Sequence, residues 1–79
     1  MRSRAIYGCA GLELSASERV FFRAVRPWGF ILFGRNIEAP NQVMSLIAAL
    51  RETVADDTAP ILIDQEGGRV ARLKPPHWQ

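Results

Sequence analysis

The groups in this chain best able to do chemistry sit together. Ile61-Leu62-Ile63 runs directly into Asp64-Gln65-Glu66-Gly67-Gly68-Arg69-Val70-Ala71-Arg72. Asp64 and Glu66 bring carboxylates that accept hydrogen bonds, and Arg69 and Arg72 bring guanidinium forks that donate them. Gly67 and Gly68 carry no Cβ, so the backbone there can turn through positive φ and come close to a ligand. The types and spacing describe a polar binding site. A phosphate cradle built on the glycine pair is the rival reading. It is weakened because no GxxxxGK[ST] pattern accompanies the pair and because Asp64 and Glu66 repel phosphate.

Something must hold those groups at one place. A short apolar run opened by Pro60 and closed by polar residues reads as a buried strand of a parallel sheet. The residues just past the C-terminal end of such a strand are where α/β sheets and barrels set their ligand sites. Upstream, Ala5–Ala10 reads as a first strand, with Ile6 and Tyr7 β-prone and Gly11 closing it. Ser15-Ala16-Ser17-Glu18 has capping-box spacing, which starts a helix. That helix groups Val20, Phe21, Ala24 and Val25 on one face, and Pro27 stops it. Trp28–Gly34 is an unbroken apolar run and so a second parallel strand. Arg35 and Asn36 lie just past its end, where the plain reading of Asn36 is turn geometry. Pro40 suits the first turn of a second helix, whose apolar stripe is Val43, Met44, Leu46, Ile47, Leu50 and Val54. The expected order is strand, helix, strand, helix, strand, then a glycine loop. These are right-handed βαβ units. After them, Leu73–Gln79 reads as an extended, proline-stiffened segment that leaves the third strand with an open edge.

Composition narrows the class. The chain has 79 residues, 48% of them hydrophobic, and a formal net charge of +2. That is one domain at most. The 10 basic and 8 acidic residues are interspersed rather than clustered, which argues against a nucleic-acid partner. Cys9 is the only cysteine, so no internal disulfide forms and a reducing, cytoplasmic compartment is expected. The apolar stretch before Cys9 is too short for a signal-peptide core, and no run reaches the ~20 apolar residues of a membrane span. His77, the sole histidine, has no Cys or His partner at ligand spacing, so no metal site is expected.

Two motifs in order now carry a resemblance. Ile61–Val70 closely resembles a signature of glycoside hydrolase family 3, and Gly29–Asn36, about thirty residues earlier, looks like that family's ILFxRN strand. Pro75-Pro76-His77-Trp78 fits the segment that follows in bacterial members. The similarity is to the single-domain bacterial β-N-acetylhexosaminidases of cell-wall recycling. It implies a (β/α)8 TIM barrel, of which residues 1–79 would be the N-terminal portion, with the first β-α-β-α-β units. A whole barrel needs roughly 250 residues.

The resemblance further implies retaining hydrolysis of terminal N-acetyl-β-D-glucosamine from muropeptide-type substrates, with no cofactor. Asp64 and Arg72 match the positions that bind the sugar. The family's nucleophile is an Asp far downstream and its acid/base a loop His. Neither matches a residue here, and His77 matches a different segment. The chain is therefore expected to hold sugar without cleaving it, as an enzyme portion or a non-catalytic remnant. Asp64 and Glu66, two apart on a strand, would stand ~6.8 Å apart, inside the range of an inverting glycosidase pair. We set this aside because alternation is lost where the strand meets the glycine loop. Glu66 reads instead as a loop carboxylate that bonds backbone or Arg69.

Overall fold

The computed structural model describes residues 5–65 and 69–73, with the side chains of 65 and 69–73 excepted. Strand β1 (Ile6–Tyr7) leads to helix α1 (Ala16–Val25) and strand β2 (Gly29–Leu32). A 3-10 turn (Gly34–Asn36), helix α2 (Pro40–Thr53), strand β3 (Ile61–Gln65) and strand β4 (Arg69–Leu73) follow. One sheet holds all the strands in the order β1-β2-β3-β4. β1, β2 and β3 run parallel, with Tyr7 opposite Phe30 and Leu32 opposite Ile63.

β4 is the departure from expectation. It pairs antiparallel with β3 along its whole length, from Ile61 opposite Leu73 to Gln65 opposite Arg69. The edge of β3 is therefore covered, not open. The run Arg69-Val70-Ala71-Arg72-Leu73 lacks strict polar–apolar alternation, so its strand signal is weak and the ladder with β3 supplies what propensity does not.

Each helix starts where local chemistry dictates. Ser15 Oγ accepts from the Glu18 N–H at 3.2 Å, and a Glu18 carboxylate oxygen accepts from the Ser15 N–H at 2.9 Å. The stop before Pro27 is a left-handed Arg26, at φ 55°, whose N–H reaches the Phe22 carbonyl. α2 begins with Pro40 in its first turn, where a missing N–H costs nothing.

Both helices cover one sheet face. Phe22, Val43, Leu46, Ile47 and Leu50 pack with Phe30, Leu32, Ile61 and Ile63 in a single core, and the Phe22 and Phe30 rings meet edge to face at 5.2 Å. Burying a side chain of this size stabilises by about 1.5–3 kcal/mol. The other face, with Ile31 and Leu62, is only half covered.

Two apolar faces differ from expectation. In α1 it is Phe22 that reaches the core, while Val20 and Phe21 stay 67% and 47% exposed. Glu18 and Phe22 are one turn apart and share a face. Glu18 is tied to the Ala10 N–H at 2.9 Å, and that bond turns Phe22 inward. In α2, Met44 lies outside the stripe and is 55% exposed. Among the described residues no helix is long and apolar enough to cross a membrane.

Gly29 marks the tightest seam. A Cβ there would meet the Pro60 carbonyl oxygen at 2.8 Å, the same oxygen that accepts the Phe30 N–H at 2.9 Å and starts the β2–β3 ladder. Gly29→Ala should therefore destabilise by about 1–3 kcal/mol, a Tm fall of several degrees by calorimetry. Gly11→Ala, with nothing within 4 Å of its Cβ, should leave Tm within about a degree or two of wild type, since such a change is worth under ~0.5 kcal/mol. Equal shifts in the two variants would contradict this packing.

Candidate functional site

Parallel strands put their C-terminal ends on one edge of the sheet. Here that edge gathers the loop after β1 (Gly8 to Gly11), the turn after β2 (Phe33 to Asn36) and the end of β3 at Asp64. The loops are fixed before any ligand arrives.

Asn36 does most of this. It is fully buried, and its Oδ1 accepts the Phe33 N–H at 2.8 Å. Its Nδ2 donates to the Cys9 carbonyl at 3.0 Å and to the Gly11 carbonyl at 2.7 Å. The side-chain amide thus ends β2 by taking the N–H that would continue the ladder. The same amide diverts the chain after Tyr7 out of the sheet. Both strands are shorter than their apolar runs for that reason.

Gln42 repeats the device one layer back. Its Nε2 donates to the Leu12 carbonyl at 2.7 Å and the Asn36 carbonyl at 2.8 Å, and its Oε1 accepts the Glu38 N–H at 2.9 Å. Gln42 lies outside the apolar stripe that the sequence marks on this helix, and no role is read for it there. Its place three residues after Ala39, at the capping position of that helix, was the available signal.

Charge is managed around the same loops. Burial works against the Glu18 carboxylate, yet hydrogen bonds from the Ser15 and Ala10 N–H groups and the Ser15 hydroxyl outweigh it and hold the carboxyl below its ordinary value. Burial pushes the Cys9 thiol up, and Glu18 adds to this while Arg35 opposes it. The thiol stays protonated and inert. Arg35 Nε donates to the Cys9 carbonyl at 3.3 Å, and its guanidinium lies over the Phe33 ring at 4.6 Å.

Asp64 is half buried near the end of β3, with Val70 opposite it on β4. Arg72 stands opposite Leu62. Alternation puts backbone positions 62, 64, 70 and 72 on one face of the ladder, so β4 returns Arg72 diagonally beside Asp64. The Arg72 and Arg69 side chains, Glu66, Gly67, Gly68 and His77 lie outside the described residues.

Two outcomes test this framework. Asn36→Leu strands the Phe33 N–H and the Gly11 carbonyl, each worth roughly 1–3 kcal/mol when buried without a partner. It should cost at least about 2 kcal/mol by denaturant unfolding, and a smaller loss would mean water replaces the amide. Glu18→Gln tests the carboxylate. Because the folded value lies below the ordinary 4.5, its stabilisation is complete above that pH and is lost as pH falls through the folded value. The Tm gap between Glu18→Gln and wild type should be widest at neutral pH and close in acid. A gap that stays constant with pH would exclude the carboxylate as its source.

Against known proteins, no family model matches the chain. A β-hexosaminidase of Pseudomonas aeruginosa is 40% identical over 74 residues, which is 94% of this chain and 22% of that protein. A β-hexosaminidase of Xanthomonas oryzae is 44% identical over 69 residues, 87% of this chain and 20% of that protein. The crystal structure of NagZ from Neisseria gonorrhoeae in complex with N-trifluoroacetyl-D-glucosamine superposes with a TM-score of 0.71 at 28% identity. That match covers 95% of this chain and 22% of the other. The chain spans about a fifth of the length of the curated relatives it matches.

Proposed function

Starting from this similarity to bacterial β-hexosaminidases, we propose that residues 1–79 are the sugar-gripping N-terminal portion of a glycoside hydrolase family 3 barrel domain. The carrying observation is the half-buried Asp64 near the C-terminal end of a parallel strand, with β4 returning position 72 to the same face. A sheet with both helices on one face and a half-covered apolar face opposite fits the opening of a (β/α)8 barrel, whose interior is filled by side chains from further strands.

In this reading Asp64 accepts from hydroxyls of a terminal N-acetyl-β-hexosamine, and Arg72 donates to the same ring. Holding the ring in reacting geometry supplies a large share of the rate. Glycosidic cleavage with retention needs a nucleophile and an acid/base. Both belong to parts of the family's domain that match no residue here. The substrates are muropeptide-derived N-acetylglucosaminides handled in the cytoplasm.

The test is a chimera in which residues 1–79 replace the corresponding segment of the Pseudomonas β-hexosaminidase. It should release dye from a chromogenic N-acetyl-β-glucosaminide, whereas the 79-residue chain alone should not. A sugar hydroxyl that loses its charged partner forfeits roughly 1.5–3 kcal/mol. Asp64→Ala and Arg72→Ala in the chimera should each lower kcat/KM at least about tenfold, and Arg69→Ala less. Near-normal kcat/KM in the first two, with a loss in the third, would reverse the assignment.

A further inference from the structure

The edge of the sheet farthest from β4 is β1, and among the described residues no strand pairs with its outer side. An unpaired edge is a template for another strand. Helix α1 is open on the same side. It turns Arg19 and Arg23 toward Glu52 of α2, and its Phe21 ring leans on Tyr7 of β1 at 5.5 Å. Phe21 is nevertheless 47% exposed, and Ser17, Val20 and Ala24 around it are exposed as well. At 3.6 residues per turn these four share an arc of about 100°, and none carries a charge.

One two-fold axis can cover the strand edge and the helix flank together. Neighbouring strands lie about 4.8 Å apart, so an axis that pairs β1 with a copy of itself stands about 2.4 Å from β1. Phe22 meets Tyr7 of β1 at 6.1 Å and Phe30 of β2 at 5.2 Å. Helix α1 therefore rides between those two strands, about another 2.4 Å in from the edge. The two copies of α1 then run about 9.6 Å apart, inside the roughly 8–10 Å spacing of packed helices. They are antiparallel, which sets their dipoles head to tail. Glu13 precedes α1 and Arg26 caps its end, both exposed and neither with an ion-pair partner among the described residues. The antiparallel arrangement brings Glu13 to the end of the helix that carries the partner's Arg26, twice in each pair.

We propose that the 79-residue chain pairs with a second copy of itself across β1 and the Phe21 flank of α1, joining the two sheets into one. The contact is isologous, with Phe21 beside the axis. It goes beyond the sugar-binding function and does not rest on it, since β2 separates β1 from the strand that carries Asp64. Within a barrel domain the same edge would meet the rest of that domain, so the pairing is a property of this chain on its own.

Sedimentation equilibrium of the full chain tests this, run from about 10 µM to 1 mM because a patch below standard interface size gives a weak dimer. The mass should rise from monomer to dimer and stop there. Ala24→Glu sets like charges across the axis and should weaken the dimer at least about tenfold. Met44→Glu, at a 55% exposed position on α2, should leave it unchanged. Glu13→Arg and Arg26→Glu should each weaken the dimer about threefold, and the two together should recover it, as exchanged partners do. Circular dichroism at the lowest concentration checks that each variant keeps the wild-type melting transition. A monomer throughout the range overturns the proposal and leaves this edge to the remainder of a larger domain. A dimer indifferent both to Ala24→Glu and to the charge exchange overturns it too, and puts the contact on another face.

Discussion

The arrangement of the strand ends depends on one buried amide. Asn36 satisfies an N–H at the end of β2 and two carbonyls in the loop after β1 with a single planar group. An aliphatic residue would pack there but take the side-chain partner from the Phe33 N–H and the Gly11 carbonyl, and a carboxylate would face carbonyl oxygens with no proton to offer. Donor and acceptor on one short side chain are both required. Because the bonded groups are backbone, their positions follow the amide to within a hydrogen bond's tolerance. The Cys9 carbonyl then becomes a second anchor, one that Arg35 shares.

Much of the fold was legible because its signals are local. The Ser15–Glu18 box, Pro27, Pro40 and the apolar runs at 29–32 and 61–63 each act within a few residues, and the elements begin and end close to them. What was not legible depends on partners far along the chain. Asn36 reads as a turn residue until Gly11, 25 residues earlier, is brought against it. Phe21 and Phe22 differ by one position, and only the Glu18 contact to Ala10 selects between them. β4 has little strand character of its own and exists through β3.

For the candidate site, the sequence placed Asp64 at a strand end and the structure finds it near the end of β3. The sequence marks Gly67 and Gly68 only as able to turn, and the ladder that brings position 72 beside position 64 is what the structure adds. The Gln42 bridge was missed for the same reason as the Asn36 bridge. One amide spans two loops, and neither loop announces the other in sequence.

The β3–β4 ladder constrains how this sheet can grow. Every position of β3 from Ile61 to Gln65 already faces a β4 partner running the opposite way. A strand has two hydrogen-bonding sides, and those of β3 are taken by β2 and β4. A further strand on that flank must dock on β4 or displace it. Any closed sheet that keeps this ladder therefore contains a reversal of direction just beyond Asp64. At that seam the end of β3 and the start of β4 share one rim, so backbone from two opposed chain directions meets there.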